Sequence, residues 1–228
     1  VKKLEAYCAK LCSIIPFESE IYNDKNKITY VGHPLLDEIK DFKQELVNTN
    51  KIAFMPGSRK TEITNLMPIF RELIKKMPNK EYILIIPAKF DDDYIKKIYG
   101  DISNFTISKN THKTLQESEY AFICSGTATL EAALIGTPFT LSYIAKKIDY
   151  FIGSLFVKLN HVGLANIFFE KMGKSTLHSE FLQENVSLDN LLNDYENMDK
   201  KLFFENSRLL RDYLKNGSSQ NVAKIIQN

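Results

Sequence analysis

The sequence predicts an α/β protein, a doubly wound parallel sheet followed by a group of C-terminal helices. Three observations carry that expectation. Short apolar runs of β-type residues recur through the first part of the chain, at residues 12–15, 29–31, Lys51–Met55, 82–86, 105–107, Tyr120–Cys124 and Phe139–Tyr143. From Lys51 onward these runs alternate with stretches of helical period, in the order β-α-β-α-β-α-β-α-β. After Tyr143 the pattern turns entirely helical. Apolar strands separated by helices imply a parallel sheet covered on both faces, with right-handed crossovers and ligands beyond the carboxyl ends of the strands.

Lys2-Lys3-Leu4-Glu5-Ala6 reads as the middle of a helix, the run at 12–15 as a strand, and Pro16-Phe17-Glu18 as the start of another helix. Proline suits a helix start because its missing amide is not needed there. Gly32-His33-Pro34 marks a boundary between residues 1–32, read as the end of another domain, and a sheet domain over 33–186. Within that domain, residues 61–77 place Ile63, Leu66, Ile69, Phe70, Leu73, Ile74 and Met77 on one helical face. Shorter helices are predicted at 90–99, 114–118 and Thr127–Ile135. Helices at 146–159, 187–195, 199–215 and 218–226 complete the chain, those from 187 to 228 forming a C-terminal group. Asn216-Gly217 breaks the last two, since glycine tolerates a left-handed conformation.

The 228 residues allow one large domain or two small ones, with a substantial core. The chain begins with Val1 inside a helix-like run, so it is expected to be a processed product or one piece of a longer protein. Thirty Lys and Arg against 28 Asp and Glu give a net charge of +2, which argues against nucleic acid as a partner. A hydrophobic fraction of 44% and a charged fraction of 25% are those of a globular domain rather than a disordered one. No apolar stretch reaches the length of a membrane-spanning helix, and no secretory signal opens the chain. Three cysteines make no disulfide framework and fit a reducing, cytoplasmic compartment. Cys8 and Cys12 lack a second ligand pair, so no metal site is expected. They belong on a buried helical face or where a helix meets a strand.

Two loops can carry chemistry. The first runs Met55-Pro56-Gly57-Ser58-Arg59-Lys60-Thr61-Glu62-Ile63, from a strand end into a helix start. Free amides and the helix dipole make such a junction an anion site, glycine lets the backbone come close to a ligand, and Arg59 can fork onto a phosphate. The plain alternative is a βα turn with a surface arginine. The P-loop lysine pattern is absent, which excludes that class of ATPase. The second loop runs Cys124-Ser125-Gly126-Thr127-Ala128-Thr129-Leu130-Glu131 and reaches Gly136-Thr137-Pro138. Its small residues can cradle a diphosphate. Glu131 lies four residues after Thr127, on the same helix face, where a carboxylate can accept from two vicinal hydroxyls such as those of a ribose. The plain alternative is a helix capped by Ser125 or Thr127 with Glu131 exposed. Both loops fall at the same end of the sheet.

The pattern Gly126-x-x-Thr129-x-Glu131-Ala132, followed by Gly136-x-Pro138, resembles the donor signature of GT-B glycosyltransferases that use UDP-sugars. A more specific series comprises Ile15-Pro16-Phe17-Glu18, Tyr30-Val31-Gly32-His33-Pro34, the Arg59 and Ser125 loops, Ser142-Tyr143, Leu164-Ala165-Asn166-Ile167 and Glu180-Phe181-Leu182-Gln183. That series resembles the lipid-A-disaccharide synthase family across the whole chain, and about three-fifths of the family's length. The resemblance implies a GT-B fold whose Rossmann-like donor domain is present and whose N-terminal acceptor domain is mostly absent, lying before Val1. It implies transfer of 2,3-diacylglucosamine from UDP to 2,3-diacylglucosamine 1-phosphate (lipid X), with inversion, to give lipid A disaccharide 1-phosphate. No cofactor and no metal are implied, the UDP-sugar being a substrate.

By the same resemblance the donor-binding residues are Gly57, Ser58, Arg59, Glu62, Ser125, Gly126, Thr127, Thr129, Glu131, Tyr143, Asn166, Glu180 and Gln183. Glu131 would hold the ribose, residues 125–129 and Arg59 the diphosphate, and Asn166, Glu180 and Gln183 the donor side of the cleft. The catalytic base is expected upstream of Val1, so none is named in this chain. Ala165 and Ser179 stand where the family usually has proline. The alternatives are another GT-B UDP-sugar transferase or an epimerase, or a nucleotide-binding module inactive by itself.

Asp91-Asp92-Asp93 invites a metal-binding reading but sits at a helix start, where acids favour the dipole and cap amides. His33 is either a substrate contact or a hydrogen-bonded turn residue. His112, His161 and His178 show no zinc-ligand spacing. Residues 144–169 combine Lys146, Lys147 and Lys158 with Phe151, Ile152, Leu155, Phe156, Val157, Phe168 and Phe169. This is either an interfacial helix or a core-facing one with solvated lysines. Diacylated substrates, implied by the resemblance, favour a peripheral place on the inner face of the inner membrane. The oligomeric state is left open, a homodimer included.

Overall fold

The computed structural model describes residues 1–124, 126–144 and 160–227. Six parallel strands form the main sheet: β3 (Lys51–Met55), β4 (Glu81–Ile85), β5 (Thr106–Ser108), β6 (Tyr120–Cys124), β7 (Phe139–Tyr143) and β8 (Glu180–Leu182). Their order is β5-β4-β3-β6-β7-β8. A separate two-stranded parallel sheet joins β1 (Leu11–Ser13) to β2 (Ile28–Tyr30). Before it comes α1 (Lys2–Tyr7), and after it α2 (Pro34–Glu38).

The central strands are buried on both faces, which is why they read as continuous apolar runs. Tyr120, Phe122 and Cys124 of β6 face one core, together with Ile52 and Phe54 of β3, under α3 (Lys60–Lys76) and α4 (Asp92–Tyr99). Ala121 and Ile123 face the other, under α5 (Thr111–Glu117), α6 (Thr127–Ile135) and α7 (Leu164–Lys171). The helical face read from the sequence in α3 is correct: Ile63, Leu66, Phe70 and Leu73 are all fully buried.

The helices α8 (Leu188–Asn197), α9 (Lys200–Leu214) and α10 (Ser218–Gln227) do not form a layer of their own. Leu191 of α8 enters the core under α3, and Phe203, Leu210 and Leu214 of α9 enter the other. The Asp194 carboxylate fixes α8 by accepting from Tyr120 Oη (3.1 Å), Thr140 Oγ1 (2.5 Å) and Ser179 Oγ (2.5 Å). The C-terminal α10 instead returns to the first part of the chain. Asp37 of α2 accepts from the Gly217 amide (2.6 Å) and from Ser218 Oγ (2.7 Å), and Asn221 Nδ2 donates to the Val31 carbonyl (2.9 Å). Gly32, at φ +98°, lies where a side chain would meet the Lys215 and Asn216 carbonyl oxygens at 3.0 Å.

Three sequence expectations need correction. The chain after Tyr143 is not all helix, because β8 adds a sixth strand beside β7, with Tyr143 paired to Leu182. Its three half-buried residues are too few to show a strand period. Pro16-Phe17-Glu18 leads only to a 3₁₀ turn at Glu18–Ile21. Of the two placements expected for Cys8 and Cys12 the structure has the second, where a helix meets a strand: α1 stops at Tyr7, Cys8 follows it, and Cys12 is exposed in β1. The helix predicted at 114–118 begins earlier, at Thr111, because Asn110 accepts from the Lys113 amide and caps it. The predicted helix at 146–159 lies outside the described residues.

Candidate functional site

Strand order reverses between β3 and β6: the chain builds outward from β3 through β4 to β5, then returns to β6 on the other side. The loops at that switch point diverge and leave a crevice. A cleft of about 490 Å³ lies there, walled by Met55, Gly57, Ser58, Arg59 and Glu62 on one side and Cys124, Gly126, Thr127 and Ala128 on the other, with Ile85, Pro87 and Thr111 at its floor and edge. Both loops singled out in the sequence therefore meet in one place.

The two helix ends in this cleft differ chemically. At α3 the Glu62 carboxylate folds back onto its own helix start. Its Oε2 accepts from the Ser58 and Arg59 amides, each at 3.1 Å, while Oε1 accepts from Arg59 Nη1 at 2.7 Å. Those amides are thus already occupied. Gly57, at φ +103°, is the residue that makes room: a Cβ there would lie 2.9 Å from Glu62 Cβ and closer still to its carboxylate. Gly57 and Glu62 therefore shape the loop. The exposed group is the Arg59 guanidinium, whose side chain is 77% accessible. Its hydrogen bond to Glu62 and the charge of that carboxylate raise its affinity for the proton, with a further contribution from Tyr143 at the end of β7.

At α6 the first turn is open. Gly126 adopts φ +144° with none of the described residues beyond its chain neighbours within 4 Å of an added Cβ, and Gly126 and Thr127 are both exposed. The opening amides of a helix have no partner inside it and carry the positive end of its dipole. Ser125 lies outside the described residues. Thr129 is fully buried, its hydroxyl donating to the Gly126 carbonyl at 2.7 Å, so it stiffens the turn from below. Glu131 sits one turn further on, 3.4 Å from His112 Nε2 on α5. Burial raises the Glu131 proton affinity, His112 opposes that and Glu38 adds to it.

Asn166 and Glu180 lie elsewhere, in a buried knot between α7 and β8. Asn166 Nδ2 donates to the His178 carbonyl (2.9 Å) and to Glu180 Oε1 (2.7 Å), and its Oδ1 accepts from the Leu177 (2.7 Å) and His178 (3.2 Å) amides. An asparagine side chain has two donors and two acceptor sites, so all four are spent inside the protein. Glu180 also accepts from the Val162 (2.7 Å) and Gly163 (3.1 Å) amides. In this arrangement both side chains hold the backbone between α7 and β8. Gln183 follows β8 at φ +54°, its Nε2 buried and without a partner among the described residues.

The remaining candidates resolve plainly. Asp91 Oδ1 accepts from the Tyr94 amide at 2.7 Å, so the aspartate run is a helix cap. His33 Nδ1 accepts from the Leu35 amide at 3.3 Å and caps α2. Among the described residues no group of His, Cys, Asp or Glu is arranged to hold a metal ion. Among them, too, no helix is long and apolar enough to cross a membrane. Sequence reasoning missed Pro87, Thr111 and His112. Pro87 and Thr111 follow strands β4 and β5 at the same sheet end, a signal that was available in the strand order.

The fold is similar to that of solved glycosyltransferases. A calicheamicin glycosyltransferase superposes with a TM-score of 0.58 at 12% identity, over 96% of this chain and 52% of that one. The glycotransferase of kitacinnamycin gives 0.55 at 15% identity, over 96% and 54%. At such identities the likeness is one of fold, the GT-B type. The family model for lipid-A-disaccharide synthetase matches residues 1–225, and the chain belongs to that family. A lipid-A-disaccharide synthase of Campylobacter jejuni is 51% identical over 98% of the chain, and one of Helicobacter pylori 46% identical over 97%. The chain spans 62% and 64% of the length of these curated relatives.

Proposed function

We propose that the chain is the donor-binding part of a lipid-A-disaccharide synthase. It would hold UDP-2,3-diacylglucosamine in the switch-point cleft while the sugar passes to 2,3-diacylglucosamine 1-phosphate. The observation that carries this reading is the pairing, across one cleft, of an open helix N-terminus at Gly126-Thr127 with the exposed Arg59 guanidinium. In the transfer, the acceptor hydroxyl oxygen bonds to the anomeric carbon from the face opposite UDP. The bond to the diphosphate breaks, and UDP leaves with the electron pair. The charge that develops on the diphosphate is met by the α6 amides and by Arg59, without a resident metal or cofactor. The acceptor site and the base that takes the hydroxyl proton would lie in the part of the relatives' length that this chain does not span. Glu131, one turn behind the cleft wall, is assigned to the ribose hydroxyls. The diacylated substrates support action at the inner face of the inner membrane, with the lysine-rich segment beyond Ile144 as the candidate contact.

Calorimetric titration with UDP tests the donor site directly. Saturable one-to-one binding that is lost in Arg59→Ala supports it. Binding no tighter than that of inorganic phosphate refutes it. A transfer assay on the chain, alone and joined to the remaining length of a relative, separates a binding part from a complete enzyme.

A further inference from the structure

His112 has no part in the reading above, yet it is the side chain that meets Glu131. The two face each other across the α5–α6 contact, with Nε2 3.4 Å from Oε2. Among the described residues, His112 is the only ion-pair partner of that carboxylate. The pair lies directly behind the cleft: Thr111, the neighbour of His112, lines it, as do Thr127 and Ala128 one turn before Glu131. On its other side His112 opens onto a hollow of about 530 Å³, rimmed by Glu38 of α2, Lys40 and Asp41 of the following loop, and Lys113 and Glu117 of α5. Three acids and two bases stand there, so without His112 the Glu131 carboxylate faces an acid-biased surface.

We propose that His112 is a positioning residue for Glu131: its imidazole fixes Oε2 and balances the carboxylate charge, leaving Oε1 to accept from the ribose of the donor nucleotide. This rests on the assignment of Glu131 to the ribose. Burial already favours protonated Glu131, and Glu38 reinforces it. His112, through its hydrogen bond and charge, opposes both and is the group that keeps the acceptor charged.

The test is titration of the 228-residue chain with UDP and with 2′-deoxy-UDP between pH 5 and 8, in wild type, His112→Ala, His112→Gln and Glu131→Ala. Wild type should prefer UDP by about tenfold, the scale of a hydrogen bond to a charged group. His112→Ala should cut that preference about two- to fivefold at the acid end, as expected for a half-exposed ion pair. It should also move the loss of preference to higher pH. His112→Gln, which keeps a donor but no charge, should recover the preference near neutrality and not in acid. The proposal is overturned if His112→Ala leaves the UDP preference and its pH profile unchanged. If Glu131→Ala abolishes the preference in that case, only the positioning role has fallen. If Glu131→Ala leaves it intact as well, the ribose assignment has fallen with it.

Discussion

Gly57 and Glu62 occupy one volume, and that sharing can be measured. Replacing Glu62 by alanine removes two amide bonds and one guanidinium bond to its carboxylate. The freed amides can take up water, so the cost is that of a lost cap with charge-assisted bonds, about 2 kcal/mol. Gly57→Ala at φ +103° adds left-handed strain of about 1 kcal/mol, and its methyl group displaces the Glu62 carboxylate. Its total is therefore about 3 kcal/mol. In the double variant the carboxylate is already gone, and the strain and the 2.9 Å contact with the remaining Cβ at residue 62 are left, so the pair should cost about 3–4 kcal/mol rather than the additive value of about 5. Urea unfolding of the four proteins gives the coupling, and Tm should fall by roughly 4–8 °C for Glu62→Ala, at about 2–4 °C per kcal/mol for a chain of this size. UDP affinity should fall in all three variants, because each releases Arg59 from its tether. Additive costs would show that Glu62 does not fill the space beside Gly57, and the account of this loop would be wrong.

Asn166→Ala should destabilise the chain by about 3 kcal/mol in urea unfolding, since it strands two amides and part of Glu180 in a buried site. Asn166→Asp should cost more than alanine, because it sets a second carboxylate against Glu180; a milder aspartate would contradict the network. Burial pushes the His178 imidazole down to about 4. The unfolded chain therefore binds a proton, from about pH 6.5 downward, that the folded chain refuses. Stability should decline by up to about 3 kcal/mol as pH falls from 6.5 toward 4 and level off below, and His178→Gln should flatten the decline; equal slopes in the two proteins would exclude His178 as its source. In a transfer-competent protein Arg59→Ala should lower kcat/KM about ten- to a hundredfold, less than an enclosed charge donor gives because the guanidinium stands mostly in solvent. Unchanged kinetics would remove Arg59 from the reaction.

Most of the sheet was legible because its strands are buried on both faces and its helices carry a single apolar stripe, as α3 does. What escaped was short or held by tertiary contacts. β8 has three residues, each half-buried, and exists because β7 offers it an edge. The pairing of Glu131 with His112 joins residues nineteen apart on neighbouring helices, and no local spacing encodes it. Asn166 and Glu180 enter the donor set through the resemblance alone, and no local spacing encodes the hydrogen bond that joins them. Their surroundings show that a polar residue in a recognisable motif can serve the backbone instead of a ligand.

The two βα loops illustrate why residue type alone did not separate binding from scaffolding. Each offers a glycine, a hydroxyl residue and a nearby glutamate. In the first loop the glutamate is three residues into the helix turn, within reach of its own helix start, so it neutralises the anion site it appeared to belong to. In the second the glutamate is two residues further into the helix, too far to fold back, and is drawn to α5. Two residues of spacing relative to the helix start thus decide whether a carboxylate closes a helix N-terminus or leaves it open. That difference leaves the start of α6 exposed at Gly126-Thr127 and gives α3 a tethered arginine.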